Sequence, residues 1–222
     1  MMQWIIEQAS SYAGDIDNLI LLVAVLGGFW LILAEVILFY FVFRYHRSRN
    51  PKAQYITGEQ KHEKKWIHIP HNLVLLCDVV IVVLAVKVWY NVKQVAPPPD
   101  DTVRIVGHQW AWEFHQAPPG QQLGKDDIAT VDELHVEVDK NITFKLEAAD
   151  VIHSFSVPVF RLKQDAMPGR VISGWFHPTK TGVYDIQCTQ ICGLGHGIMG
   201  ARIYVETAEE HRAWLDKMTK KG

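Results

Sequence analysis

The chain has few cysteines, no c-type haem motif and no excess of either charge. Three cysteines among 222 residues leave room for at most one intrachain disulfide. No Cys-X-X-Cys-His run occurs, so these residues carry no site for covalent c-type haem. The formal net charge is −2, and no strong basic patch follows residue 100, which argues against nucleic acid as a partner. No internal repeat and no low-complexity segment is present. The residues ahead of the first apolar run lack a basic n-region and a small-residue cleavage site. That run therefore reads as a retained helix rather than a removed secretory signal.

The mean hydropathy, near zero, averages two unlike halves. Leu19 to Phe43 is apolar throughout, broken only by Glu35. About 25 residues at 1.5 Å each span roughly 37 Å, enough to cross a bilayer with some tilt. A second run, from Ile69 to Tyr90, contains Asp78 and ends near Lys87. Taken alone, it also fits a buried helix of a soluble protein. Arg44, His46, Arg47, Arg49, Lys52, Lys61, Lys64 and Lys65 lie between the runs against two acids, Glu59 and Glu63. Such a loop faces the cytoplasm, with both termini on the other side. Trp4, Tyr40, Tyr45, Trp66, Trp89 and Tyr90 fall near the helix ends, where amphipathic rings favour the interface; Trp30 would sit deep. Glu35 and Asp78 are costly in lipid and predict a larger membrane partner covering one face. Cys77, in the second run, reads as a packing residue.

Ala96-Pro97-Pro98-Pro99-Asp100 stops the second helix. Beyond it the pattern predicts short strands at 102–106, 110–115, 133–138, 142–146, 155–159, 171–176, 182–187 and 201–206. Turns at Pro118-Pro119-Gly120, Asp139-Lys140-Asn141, Pro168-Gly169 and His177-Pro178 separate them, and the whole suggests an antiparallel sandwich or barrel. Thr207 caps a last helix with Glu209 and Glu210 in its first turn. The expected organisation has an N-terminal segment and two transmembrane helices in residues 1–95, the helices at about 19–43 and 69–90 with basic loop 44–66 between them. A proline linker at 96–100, a β domain at 101–207 and a C-terminal helix at 208–222 follow. Acidic residues of the β domain, from Asp126 to Asp150, read either as solvated charge or as a docking face for a basic partner.

The richest stretch is Cys188-Thr-Gln-Ile-Cys192-Gly-Leu-Gly-His196-Gly-Ile-Met199. Two cysteines four apart could form a disulfide or half a zinc site. An added imidazole and thioether make a soft donor set that selects copper over hard cations. Glycines at 193, 195, 197 and 200 let the backbone turn tightly enough for the donors to converge. Of the eleven histidines, His153, at the end of a strand-like run, is the best candidate for a second imidazole. The other reading of His153 is structural.

Four motifs now carry a resemblance: Gly107-His-Gln-Trp110-Ala-Trp112-Glu-Phe114, Asp150-Val-Ile-His153-Ser-Phe-Ser-Val-Pro158, Lys163-Gln-Asp165-Ala-Met-Pro-Gly-Arg170 and the cysteine loop. With the two apolar runs, they make nearly the whole chain resemble subunit II of haem-copper terminal oxidases of the cytochrome c oxidase type. The resemblance implies a two-helix transmembrane hairpin followed by an all-β, cupredoxin-like sandwich and a short C-terminal helix. It implies a binuclear copper centre, CuA, in which Cys188 and Cys192 bridge two copper ions and His153 and His196 bind one each. Met199 and the backbone carbonyl of Gln190 would be weak ligands. Trp110 lies in the stretch where electrons enter from cytochrome c, its other reading being a core aromatic; Trp112 reads as packing. Asp165 and Arg170 fall near the subunit I interface.

Glu63 occupies the place of a carboxylate at a proton-pathway entrance in subunit I, and reads equally as a solvated loop charge. Many relatives have Glu where this chain has Gln190, and there the carboxylate holds a magnesium ion shared with subunit I. A neutral amide is a weaker ligand for a hard cation, which puts magnesium in question here.

The function implied is that of the subunit through which electrons enter a proton-pumping cytochrome c oxidase. Single electrons would come from a separate c-type cytochrome and pass to the haem of subunit I, where oxygen is reduced to water. Expected partners are subunit I, subunit III, the cytochrome donor and the lipid bilayer. The expected location is a bacterial inner membrane with the copper domain on the periplasmic side, rather than the mitochondrial inner membrane. A copper-free quinol-oxidase subunit lacks the six donor positions that are filled here. A nitrous oxide reductase-like module lacks a transmembrane hairpin and has a propeller. A membrane-anchored disulfide protein would join Cys188 to Cys192.

Overall fold

A computed structural model describes residues 6–52 and 55–220. Trp4, residues 53 and 54 of the basic loop, and residues 221 and 222 lie outside the described residues. The chain divides into two compact units: Asp17–Tyr90, and a second built from the residues up to Ile16 together with Asn91 onward.

The first unit holds α1 (Ala13–Arg44) from Asp17 onward and all of α2 (Lys61–Trp89). Both reach past the apolar runs, because a helix once nucleated extends cheaply into polar flanks. The extension of α2 begins in a cap. The Gln60 N–H donates to the Glu63 carboxylate at 3.2 Å, occupying a backbone donor that would otherwise lack a partner. At 32 and 29 residues the helices are long and apolar enough to cross a membrane. No residue of α2 is buried, and Leu31, Phe39, Phe43, Leu76 and Val83 present bare apolar side chains. A soluble protein's core helix would bury that stripe. Glu35 and Asp78 lie exposed on these helices. A π-helical turn, Tyr90–Gln94, follows α2.

The second unit is a sandwich of ten strands: β1 (Asp101–His108), β2 (Ala111–Gln116), β3 (Ile128–Val131), β4 (Glu133–Glu137), β5 (Ile142–Ala148), β6 (His153–Val157), β7 (Leu162–Ala166), β8 (Ile172–Phe176), β9 (Gly182–Cys188) and β10 (Gly200–Glu206). One sheet has the order β3-β2-β1-β5-β8 and the other β4-β10-β9-β6-β7. The sheets are mixed rather than wholly antiparallel, since β1 runs parallel to β5 and β10 parallel to β4. Alternation is clean: β2 and β5 bury every second side chain. Trp112, Phe114 and Phe144 of the first sheet meet Phe155, Ile186 and Ile203 of the second, all essentially inaccessible to solvent. Helix α3 (Ala208–Thr219) closes the chain from a capping box in which the Glu210 N–H donates to Thr207 Oγ1.

The segment before α1 is built into the sandwich. The Ala9 N–H donates to the Val159 carbonyl at 3.0 Å, and the Thr179 N–H to the Ala9 carbonyl at 2.9 Å. Buried Ser10 Oγ donates to the Phe160 carbonyl at 2.9 Å, and the Arg161 guanidinium donates to the carbonyls of Ile6 and Glu7. Ser10→Ala would strand the Phe160 carbonyl in the interior, at a cost of about 1–3 kcal/mol. We expect a lower urea midpoint with an unchanged slope for the detergent-solubilised variant, measured by near-UV circular dichroism.

Candidate metal centre

The two sheets leave one end of the sandwich to the loop between β9 and β10. β9 ends at Cys188, and Gln187 pairs with Gly200 on β10, so residues 189–199 close over a fixed base. The loop is pinned from inside: the Cys188 N–H donates to the Met199 carbonyl at 3.2 Å and the Thr189 N–H to the Ser154 carbonyl at 3.0 Å. A 3-10 turn at His196–Ile198 folds it back. β6 lies beside β9 with Phe155 opposite Cys188, which places His153 at the same end.

The donor atoms converge. Among the described residues, His153, Cys188 and Cys192 form one cluster with ligand atoms within 4.8 Å of one another. The two Sγ atoms are 3.8 Å apart, and both cysteines are free thiols. Cys192 Sγ lies 3.7 Å from His196 Nδ1 and 3.7 Å from Met199 Sδ. Cys188 Sγ lies 3.3 Å from the Gln190 carbonyl. Cys77 is on α2 and has no part in the cluster.

His153 is fully buried, with Nε2 hydrogen-bonded to Asp150 Oδ1 at 2.8 Å and Nδ1 without any partner. A carboxylate on one ring nitrogen orients the imidazole and leaves the lone pair of the other for a cation. Burying an acceptor unpaired costs about 1–3 kcal/mol. Burial, and then the adjacent Cys188, push the Cys192 thiol up to about 11. Both features are what a cation would relieve, and the soft sulfur donors match copper. The residues present fit the group.

Asp150 braces the site. Burial alone would raise its pKa. Hydrogen bonds from His153 and from the Val151 and Gln109 N–H groups outweigh burial and hold the carboxyl below its usual range. The Gln109 N–H donates to Asp150 Oδ2 at 2.7 Å, and its side-chain amide donates to the Cys192 carbonyl at 2.7 Å. The β1–β2 turn is thereby tied to both the His153 side and the cysteine loop. Trp110, in that turn, is 39% exposed and lies against Gly193 and Gly195. Trp112 is core, edge-on to His153 at 5.9 Å and to Phe155 at 5.4 Å between ring centroids. Ile191, Leu194 and Ile198 stand exposed on the loop.

Glu63 sits in the first turn of α2, where its carboxylate caps the helix. Asp165 on β7 and Arg170 after it are exposed. The roles of Asp150 and Gln109 were open in the sequence. An acid three residues before the histidine was the available signal for the first.

A cupredoxin-like sandwich carried behind two apolar helices defines a membrane-anchored protein of the cupredoxin class. Residues 101–207 match the family described as cytochrome C oxidase subunit II, periplasmic domain. The alternative cytochrome c oxidase subunit 2 of Bradyrhizobium diazoefficiens is 30% identical over 92% of this chain and 80% of its own length. The cytochrome c oxidase subunit 2 of Cereibacter sphaeroides is 29% identical over 84% of this chain and 70% of its own. The crystal structure of the periplasmic domain of subunit II of cytochrome oxidase from Bradyrhizobium japonicum superposes with a TM-score of 0.52 at 31% identity, covering 57% of this chain and 99% of that one. The chain belongs to the cytochrome c oxidase subunit 2 family. It is a subunit of a haem-copper oxidase complex, an oxidoreductase, and its β domain is of the periplasmic type.

Proposed function

We propose that this chain is the subunit through which electrons enter a proton-pumping cytochrome c oxidase of a bacterial inner membrane. Its two helices would both span the bilayer, and subunits I and III would cover Glu35 and Asp78. The observation that carries the reading is the convergence of two free thiols, His196, Met199 and the unpaired Nδ1 of buried His153 at one end of the sandwich. Two copper ions held there would take single electrons from a c-type cytochrome and release them to the haem of subunit I.

The remaining work belongs to the chain. Cys188 and Cys192 would be shared ligands, His153 and His196 terminal ones, and Met199 and the Gln190 carbonyl weak ones. Asp150 holds the His153 ring, the end of β9 holds Cys188, and the Gln109 amide holds the loop at Cys192, so these donors would be positioned before any metal arrives. Fixed ligands limit the rearrangement that accompanies a change of charge. Trp110 offers a half-exposed aromatic surface to the donor. Gln190, an amide, does not favour a magnesium ion at the subunit I interface. Glu63 would stand at the entrance of a proton pathway while capping α2.

Stopped-flow mixing of the purified complex with reduced c-type cytochrome and, separately, with a quinol tests this. Rapid, salt-dependent cytochrome oxidation without quinol oxidation is expected. Quinol oxidation with an inert cytochrome would point to the copper-free class.

A further inference from the structure

We propose that Gly195 is a positioning residue for Trp110, leaving the loop bare where the indole lies on it. The inference rests on the reading of Trp110 as the point where electrons enter.

Gly195 has φ −86° and ψ 10°, a backbone conformation open to any L-residue, so the chain's path does not require glycine there. What glycine supplies is space. A Cβ at this position would stand 2.4 Å from Trp110 Cδ2 and 2.6 Å from Cγ. Carbon atoms in contact settle about 3.5–4.0 Å apart, so the ring would have to retreat by about 1 Å or more. Gly193 continues the same floor: its Cβ would lie 3.2 Å from Trp110 Cζ2. The indole therefore spans the backbone on both sides of Leu194, between Cys192 and His196.

The turn that carries the indole cannot follow it outward. Gln109 is fastened to Asp150 and to the Cys192 carbonyl, each at 2.7 Å. A side chain at 195 would thus tilt the ring toward solvent while the turn and the donor cluster stay in place. The contact between the Trp110 indole and the cysteine loop would open.

The test uses the oxidase complex carrying the full-length chain. Gly195→Ala is expected to slow oxidation of reduced c-type cytochrome about tenfold, since a misplacement near 1 Å in a reacting assembly can cost up to about a hundredfold. Reduction by hexaammineruthenium(II), a small donor that needs no aromatic platform, should keep the wild-type rate, and the copper absorption should not change. A readout independent of activity is the 19F spectrum of the metal-free chain labelled with 5-fluorotryptophan. The Trp110 resonance, identified by its loss in Trp110→Ala, should move and gain a solvent isotope shift in Gly195→Ala.

In the Trp110→Ala background the new Cβ meets no ring. The double variant should therefore oxidise cytochrome as Trp110→Ala does, with no further loss. An unmoved resonance, an unchanged cytochrome rate, an altered copper spectrum or a further loss in the double variant would each overturn the role of Gly195. A wild-type cytochrome rate in Trp110→Ala would instead overturn the reading of Trp110 on which it rests.

Discussion

Cys192→Ser will strip copper from the protein and abolish cytochrome oxidation while leaving the sandwich folded. Cys192 is 3% exposed, and its sulfur is close to three other candidate donors: Cys188, His196 and Met199. A serine hydroxyl is harder, shorter and far less acidic than a thiol, so it offers copper neither the softness nor the charge of a thiolate. Loss of a partner that only orients a ligand costs about 10–100-fold in affinity or activity, and loss of a central ligand should exceed that. Metal analysis of the purified complex and its rate with reduced cytochrome give the answer together. Near-UV circular dichroism should show the aromatic core intact, because Cys192 lies on the loop rather than on a strand. Full copper content in the variant would remove Cys192 from the site.

Trp112→Ala is the second large effect, and it acts through the fold. The indole is wholly buried, packs edge-on against Phe155 and His153, and forms the floor beneath the imidazole. Truncating a buried tryptophan typically costs about 3–5 kcal/mol, through lost burial and the cavity left behind. That is a large share of the ~5–15 kcal/mol that holds a domain folded. Gly107 approaches from the same side, a Cβ there falling 3.1 Å from both His153 and Trp112, so the neighbours cannot collapse freely into the gap. We expect a strongly lowered denaturant midpoint and weakened copper retention together, because the same ring supports the core and the His153 ligand plane. Stability near wild type would mean the core re-forms without this ring.

The helices were legible because twenty or more apolar residues in a row have few other solutions. Their ends were not, since a helix extends past its apolar run into Lys61–Lys65 once Glu63 caps it. Strands with alternating burial, such as Ala111–Gln116 and Ile142–Ala148, could be read directly. β7, Leu-Lys-Gln-Asp-Ala, could not: it is polar in its middle and becomes a strand only by pairing with β6. β3 is four residues long and follows a turn-rich stretch that masks it. The packing of Ala9 and Ser10 on the sandwich left no sequence signal, because its bonds run through backbone groups distant in the chain.

At the site, residue type alone marked the cysteine loop as a soft donor set. The brace from Asp150 through Gln109 to the Cys192 carbonyl, and the bare floor under Trp110, depend on three separate segments meeting. Composition and spacing do not report such meetings.

The most direct test of the central claim is electron paramagnetic resonance of the oxidised, copper-loaded full-length chain in detergent. One unpaired electron shared equally by two copper nuclei between Cys188 and Cys192 predicts a denser and narrower hyperfine pattern than a single copper gives, accompanied by intense thiolate charge-transfer absorption. Both signals should vanish in Cys192→Ser. The spectrum of an isolated copper ion, or a colourless protein with Cys188 and Cys192 joined as a disulfide that refuses copper after reduction, would contradict it.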